Sequence, residues 1–362
     1  MRVRMGRSRS SIGIALATGA VIAGASACGG GVSAAADAKP PVSPTVSAHQ
    51  QPVASASASA SPSPSASLSA SALASSSTPA PPKPDPKPKP PQPMLLNTIT
   101  PQTDATVGVA MPISVVFSNP VAASARADVE QHLKVSASEP TTGAWHWFSG
   151  TRVDWRPQSY WKSGTQVRVD AELTGVSNGN GRLGTHDYEH SFTIGDDVEA
   201  AVSVPGHTLK ITKNGAPVRT LPIDAGSKDW PSWNGTMAVI DKERTVHMTS
   251  CSVGISCDKK DKDFYDLKLP WDVHLTTSGT YIHYSTGDPY PGHSVGSHGC
   301  VHLSMADAKW FYNYVKQGDP VTITGSPRGK AAADNGYAAF NLSWSKWLAG
   351  SAGGAQTAAT IF

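Results

Sequence analysis

The stretch SVGSHGCVHLS, residues 294–304, places Cys300 between two histidines, His298 and His302. A cysteine attacks a carbonyl carbon as its thiolate, and a free thiol is mostly protonated at neutral pH. A neighbouring imidazole can take up that proton and hold a thiolate–imidazolium pair, so we interpret Cys300 as a nucleophile. Three histidines compete for the role of base: His298, His302 and His283, which stands upstream in GTYIHYS.

The backbone around Cys300 carries two further expectations. If residues 297–303 are extended, the side chains of His298, Cys300 and His302 share one face. Gly299 has no Cβ, so it permits unusual backbone angles and lets a substrate approach closely. We expect the backbone N–H groups of Gly299 and Cys300 to stabilise the oxyanion that forms during acyl transfer.

The N-terminus has the pattern of an export signal, assigned to residues 1–28. Four arginines within the first nine residues precede an apolar run, residues 12–27, that ends in ASAC. The run is short for a membrane span, which needs about 20 residues. ASAC resembles a bacterial lipoprotein box, although Ala25 stands where Leu is preferred. We expect a lipidated Cys28 and an extracytoplasmic protein at the cell membrane and wall; simple cleavage or retention of the segment remains the alternative.

Composition divides the rest of the chain. Residues 29–93 are mostly Ala, Ser and Pro, which predicts a disordered tether because little can be buried. Short β-patterned runs separated by turn signals over residues 94–196 predict an immunoglobulin-like sandwich. Residues 197–326 are interpreted as the catalytic domain. Residues 327–362 form an aromatic-containing extension, expected to dock partly on the catalytic domain, with the last dozen residues frayed.

Residues 197–326 remain rich in β signals and contain one marked helix. Asn214-Gly215 lies between two strand-like runs, and this pair predicts a tight hairpin because both residues tolerate positive φ. Ser304 is expected to cap a helix whose apolar stripe includes Phe311. The predicted fold class is therefore mainly β, with an immunoglobulin-like sandwich followed by a β-rich catalytic domain.

Cysteine counting leaves Cys300 without a partner. Cys251 and Cys257 lie six residues apart with Gly254 between them, which favours a small-loop disulfide in an oxidising compartment. Two free surface thiols are the alternative. With Cys28 assigned to lipid, Cys300 is the odd thiol, and an odd thiol in an exported protein requires an explanation.

From His283 to SHGCVHL, residues 297–303, the sequence resembles the signature of the YkuD-type L,D-transpeptidases, cysteine enzymes of the bacterial cell wall. The resemblance covers roughly residues 95–350 and is similar to actinobacterial members with an immunoglobulin-like module. It implies that Cys300 is the nucleophile and His283 the general base. The residues it implies around them are Ser297, His298 and Gly299, the Tyr284 carbonyl as partner of the base, and Tyr281 near the donor pocket. His302 departs from the family, which commonly has Asn or Arg there.

The resemblance further implies a two-step acyl transfer on peptidoglycan stem peptides. A Cys300 thioester would form with loss of the terminal D-alanine, and the side-chain amine of a second stem would then make a 3→3 crosslink. Inactivation by carbapenems is also implied, with no metal or other cofactor. The net charge of +3, scattered along the chain, predicts no nucleic-acid partner, and we expect a monomer.

Four other interpretations remain open. Water as the acceptor would make the same site an L,D-carboxypeptidase. Five residues could supply zinc ligands for a hydrolase: His283, His293, His298, Cys300 and His302. A non-catalytic, cell-wall-binding lipoprotein would require a buried, inert Cys300. A sortase or endopeptidase is the fourth, although a sortase should have an essential Arg after the cysteine, where this chain has Val301.

Overall fold

The computed structural model describes residues 90–360. The predicted export signal, Cys28 and the tether up to residue 89 lie outside the described residues. Within residues 90–360, no helix is both long enough and apolar enough to cross a membrane.

The N-terminal part of the described chain is a β-sandwich. Its elements are β1 Gln92–Met94, β2 Leu96–Thr100, β3 Thr106–Val107, β4 Ile113–Phe117, α1 Arg126–His132, β5 Leu133–Ala137, β6 Thr142–Trp147, β7 Arg152–Pro157, β8 Gln166–Ala171, β9 Arg182–Gly184 and β10 Tyr188–Ile194. Two five-stranded sheets face each other over one core. Trp145 and Trp147, two residues apart in β6, are both buried in that core and serve packing.

The second part is also built mainly from strands. Its elements are β11 Val198–Ser203, β12 Thr208–Lys213, β13 Ala216–Pro222, β14 Ala225–Gly226, β15 Gly235–Ala238, β16 Asp241–Thr249, β17 Asp266–Thr276, β18 Thr280–Tyr284, β19 Val295–Ser297, β20 Val301–Leu303, α2 Met305–Tyr314 and β21 Pro320–Thr324. One sheet has the order β13-β12-β11-β21-β15 and another the order β16-β17-β18-β20, with β14 and β19 forming a separate pair. The fold class predicted from the sequence is confirmed.

Local sequence signals account for several of these elements. Asn214 and Gly215 have φ angles of 50° and 76° and join antiparallel strands β12 and β13, as predicted for this pair. Ser304 caps α2 by accepting a hydrogen bond from the Asp307 N–H. The buried side of α2 carries Phe311. The predicted hairpin and helix cap are both confirmed.

The C-terminal segment returns to the sandwich. After α3, Trp344–Leu348, strand β22, Ala355–Thr357, pairs with β6, and β23, Ala359–Thr360, pairs with β5. Trp347 is buried and donates from its ring nitrogen to the Ala144 carbonyl. The expectation that the last dozen residues fray is wrong for residues 355–360, because unpaired edges of both sandwich sheets accept them.

Candidate active site

The motif containing Cys300 is not one continuous strand. Strand β19 ends at Ser297, residues 298–300 turn, and β20 begins at Val301. Gly299 has a φ angle of +116°, a backbone conformation that favours glycine and that breaks the side-chain alternation of a strand. The prediction that the side chains of residues 298, 300 and 302 share one strand face is therefore wrong.

Ser297 holds this turn together. Its side-chain oxygen accepts a hydrogen bond from the Gly299 N–H at 3.1 Å and donates one to the Cys300 carbonyl at 2.6 Å. The residue is only 4% exposed. Because the Gly299 N–H already donates to the Ser297 oxygen, it does not serve as the expected oxyanion donor. Of the two predicted donors, only the Cys300 N–H remains for that role.

His283 lies in β18, directly beside the motif. Strands β18 and β20 run parallel, and the register places His283 opposite His302. The His283 Nδ1–H donates to the Tyr284 carbonyl at 2.7 Å, which fixes the ring and leaves Nε2 as the basic nitrogen of the neutral imidazole. This is the backbone contact that the sequence predicted for Tyr284.

Burial controls the charge of both key groups. It lowers the pKa of His283, which is 2% exposed, to about 3; the neighbouring His302 also lowers it, while the Tyr284 carbonyl raises it. Burial likewise raises the pKa of the Cys300 thiol to about 12. Burial thus disfavours both the thiolate and the imidazolium, the two charged forms of the pair expected from the sequence.

The sulfur of Cys300 lies against the backbone that leads into β18. Its S–H donates to the Gly279 carbonyl at 3.6 Å, and the Tyr281 N–H donates to the sulfur. The side chain of Tyr281 instead stacks on His274, with ring centroids 4.3 Å apart. Tyr281 thus contributes its backbone to the site and its ring to packing.

Cys300 and His283 open onto the same cavity, which has a volume of about 540 Å³. Its apolar wall comes from the hairpin of β16 and β17, and its polar wall from the motif and the segment after β18. The lining residues are Met248, Tyr265, Leu267, Leu269, His283, Ser285, Gly287, Asp288, Pro289, Tyr290, His293, Ser294, Gly296, Ser297, His298, Cys300 and His302. The cavity combines an apolar surface with a sulfur and several hydrogen-bonding groups, as ligand sites commonly do.

The two histidines flanking Cys300 in sequence make different contacts. His298 Nε2 lies 3.7 Å from an Asp263 carboxylate oxygen, and its ring lies 5.0 Å from that of Tyr265. His302 Nδ1 lies 3.0 Å from Asp288 Oδ2, and its ring lies 5.1 Å from that of His283.

The long hairpin beside the cavity carries the predicted cystine. Cys251 and Cys257 are joined by a disulfide in the connection between β16 and β17. Val253, inside the disulfide loop, packs closely against Gly279: a Cβ atom added to Gly279 would lie only 2.5 Å from a Val253 methyl carbon. The disulfide loop therefore contacts Gly279, the residue whose carbonyl accepts the hydrogen bond from the Cys300 thiol.

Two acidic residues of the site had no sequence signal. Asp288 follows β18 in a loop, and Asp224 lies ahead of β14, far from the motif in sequence. Their position beside His302 depends on tertiary structure, since no motif spacing connects them. Within residues 90–360, no cluster of three or more His, Cys, Asp or Glu side chains is arranged to hold a metal ion.

A cysteine and a histidine anchored through its Nδ1, both lining one cavity in a β-rich domain, define a site suited to covalent acyl transfer. Comparison with known proteins identifies the family. Residues 197–323 match the model of the L,D-transpeptidase catalytic domain, and residues 66–177 match that of a bacterial Ig domain. The chain belongs to the L,D-transpeptidase family, and the similarity to that family predicted from the motif is confirmed.

Mycobacterial L,D-transpeptidases are similar to this chain. L,D-transpeptidase 1 of Mycobacterium tuberculosis is 33% identical over 232 residues, which cover 63% of this chain and 84% of the relative. L,D-transpeptidase 2 of that species is 31% identical over 257 residues, covering 70% of this chain but only 62% of the relative. Residues of this chain thus match less than two thirds of that relative.

Solved structures agree with these relatives. An L,D-transpeptidase in complex with imipenem is 31% identical, with a TM-score of 0.55 over 65% of this chain and 99% of that chain. L,D-transpeptidase 3 of Mycobacterium tuberculosis with a faropenem-derived adduct is 30% identical, with a TM-score of 0.53 over 64% of this chain and 98% of that chain. These similarities cover both the sandwich and the catalytic domain.

Proposed function

We propose that the protein is a peptidoglycan L,D-transpeptidase that forms 3→3 crosslinks through a thioester on Cys300. The observation that carries this proposal is the shared cavity, onto which both the Cys300 sulfur and the His283 ring open. Membership of the L,D-transpeptidase family supports the choice of stem peptides as substrates.

In the acylation step, His283 acts as the general base. Its Nε2 accepts the thiol proton while the sulfur attacks the carbonyl carbon of the third stem residue. The Cys300 N–H donates to the oxyanion of the tetrahedral intermediate. As that intermediate collapses, the C–N bond breaks and the imidazolium returns its proton to the departing D-alanine amine, leaving a thioester and a neutral His283.

The directions of the two pKa shifts fit this order of events. Because burial disfavours both the thiolate and the imidazolium, proton transfer is favourable only when a carbonyl is in place to receive the sulfur. In the second step, the amine of another stem peptide attacks the thioester and restores the thiol. If water attacks instead, the same site acts as an L,D-carboxypeptidase.

The direct test uses a β-lactam, because related structures contain imipenem or a faropenem-derived adduct. The wild-type protein and the Cys300→Ala and His283→Ala variants are incubated with imipenem and analysed by intact-protein mass spectrometry. We expect one adduct on the wild type, none on Cys300→Ala and slow formation on His283→Ala. An adduct on Cys300→Ala, or none on the wild type, would contradict the proposal.

Crosslinking itself is tested with disaccharide tetrapeptide stems. Mass spectrometry should detect a dimer that has lost one D-alanine, whereas a tripeptide alone would indicate a carboxypeptidase. A product with neither change would leave the wall-binding alternative as the better account.

We further propose that the protein is exported and held at the membrane by lipid on Cys28, with its folded part reaching the cell wall. The ASAC sequence after a basic and apolar N-terminal segment supports this location. Expression of the full chain with a labelled fatty acid should give a labelled membrane-bound protein. The Cys28→Ala variant should carry no label; a labelled variant, or an unlabelled wild type, would contradict lipidation.

A further inference from the structure

We propose that His302, paired with Asp288, is a second general base of the same cavity, which takes the proton from the acceptor amine during crosslinking. The inference rests on the proposed function and assigns its two half-reactions to different histidines. His283 serves the thiol, and His302 serves the nucleophile that releases the acyl group.

The geometry of His302 supports this role. Its Nδ1–H donates to Asp288 Oδ2 at 3.0 Å, while the ring lines the cavity with its side chain 13% exposed. The pairing of a ring nitrogen with a carboxylate fixes the tautomer and makes the other nitrogen, Nε2, the proton acceptor. The His302 ring stands edge-on to that of His283 at 5.1 Å, and both residues line the same cavity.

A buried carboxylate fixes this pair from behind. Asp224, which is 1% exposed, accepts hydrogen bonds from the Gly292, His293 and Ser294 N–H groups at 3.2, 3.0 and 2.6 Å. Its backbone also pairs with that of His302, whose N–H donates to the Asp224 carbonyl at 2.8 Å. The segment after β18 and strand β20 are thus held together at the point where His302 stands.

The charged and titratable groups facing His302 favour a neutral base that can accept a proton. They are His283 from β18, Asp288 from the following loop, Asp224 ahead of β14 and His298 from the motif turn. Burial lowers the pKa of His302 to about 4, and His298 lowers it further, while Asp224 raises it. Burial, the Asp224 charge and a side-chain hydrogen bond to Asp224 raise the pKa of Asp288, while His293 lowers it.

His283 lacks such support. Its Nδ1–H is bound to a backbone carbonyl, which orients the ring but carries no full charge. A carboxylate stabilises an imidazolium more strongly than a carbonyl does. The histidine with the carboxyl partner is therefore better suited to hold a proton during attack by a bound amine.

The proton balance of the second half-reaction is simple. The neutral acceptor amine attacks the thioester carbon, forming the C–N bond, and one of its N–H protons moves to His302 Nε2. Collapse of the tetrahedral intermediate breaks the C–S bond and leaves a thiolate on Cys300. The imidazolium of His302 then gives its proton to this thiolate, which restores the thiol and a neutral ring.

The test compares His302→Asn with the wild type in two assays on the folded full chain. Asn, which the family commonly has at this position, places an amide N–H near the position of Nδ1 and can keep the hydrogen bond to Asp288. It has no second nitrogen, so the variant measures how far this chain depends on a base at this position. Acylation is followed as imipenem adduct formation, and crosslinking as dimer formation from tetrapeptide stems. His132→Asn, on α1 of the sandwich, is the matched histidine control.

We expect the ratio of crosslinking rate to acylation rate to fall about 100-fold in His302→Asn, the range for loss of a general base. The stem-peptide thioester should then accumulate and be visible by mass spectrometry. Asp288→Asn should lower the ratio less, and His132→Asn should leave it unchanged. Equal losses in both assays, or an unchanged ratio, would overturn the inference, whereas a wild type that forms no adduct would overturn the proposed function itself.

Discussion

The substitution Ser297→Ala tests whether one hydroxyl group holds the nucleophile turn. In the wild type, the Ser297 oxygen accepts from the Gly299 N–H at 3.1 Å and donates to the Cys300 carbonyl at 2.6 Å. Alanine removes both contacts and leaves a buried N–H group and a partly buried carbonyl without these partners. The nucleophile is one of the two residues affected.

The expected magnitude follows from these two groups. A buried donor or acceptor left unsatisfied costs about 1–3 kcal/mol, so the two together set a range of roughly 2–6 kcal/mol. Partial relaxation of the turn recovers some of this, and we expect a loss of about 2–4 kcal/mol in the free energy of unfolding. A displacement of about 1 Å at a reacting atom costs up to ~100-fold in rate, so imipenem acylation should slow by roughly 10- to 100-fold.

Ser304→Ala is the matched control for this experiment. Ser304 caps α2 by accepting from the Asp307 N–H at 3.2 Å, a contact that does not involve the nucleophile turn. Loss of a cap costs about 1 kcal/mol. We therefore expect Ser304→Ala to lower stability in urea unfolding without slowing acylation.

Both variants are measured by urea unfolding and by the rate of adduct formation. The reasoning is refuted if Ser297→Ala loses less than about 0.5 kcal/mol, since the two buried groups would then have found other partners. It is also refuted if stability falls as expected but acylation keeps the wild-type rate. In that case the turn would not position the sulfur.

Three further predictions concern stability. Burial raises the pKa of the Cys300 thiol from its ordinary 9.0 to about 12, so the folded protein keeps a proton that the unfolded chain loses. The free energy of unfolding should therefore fall as pH rises from 9 to 12, and it should fall less in Cys300→Ala. Equal urea-unfolding profiles of the two proteins over this pH range would contradict the prediction. The Glu130 carboxylate accepts hydrogen bonds from the Trp147 ring nitrogen and the Ala352 N–H. Glu130→Gln should therefore lower the free energy of unfolding in urea by about 2 kcal/mol and expose the C-terminal segment to limited proteolysis. A variant as resistant to proteolysis as the wild type would contradict this. Replacing Cys251 and Cys257 by Ser should cost about 2 kcal/mol from the closed loop, and non-reducing peptide mapping of the wild type should find the two residues linked.

The sequence predicted those features whose cause is local. The Asn214-Gly215 hairpin, the Ser304 cap and the β-rich fold class each follow from the preferences of a few adjacent residues. The contact between His283 and the Tyr284 carbonyl was also predicted, through the resemblance to a family. These expectations needed no knowledge of how distant segments meet.

The remaining features depend on tertiary structure. The strand alternation expected across the motif fails because Gly299 takes a positive φ, which a pattern of side chains cannot reveal. The last residues appeared free to fray because their sequence is rich in Ala and Gly, but edge strands β5 and β6 pair with them. Asp288 and Asp224 reach His302 only through the fold, so no spacing in the sequence marks them.

The electrostatics of the cavity link this fold to its chemistry. A thiol and an imidazole that are both neutral at rest lose less hydration energy on burial than an ion pair would, which allows the sheet to hold them beside an apolar wall. The same burial strengthens any charge interaction that does form when an acyl donor excludes the remaining water. In the proposed mechanism, charge therefore develops at Cys300 and His283 only when a carbonyl occupies the cavity, and Asp288 lies 3.0 Å from His302, the base proposed for the second proton transfer.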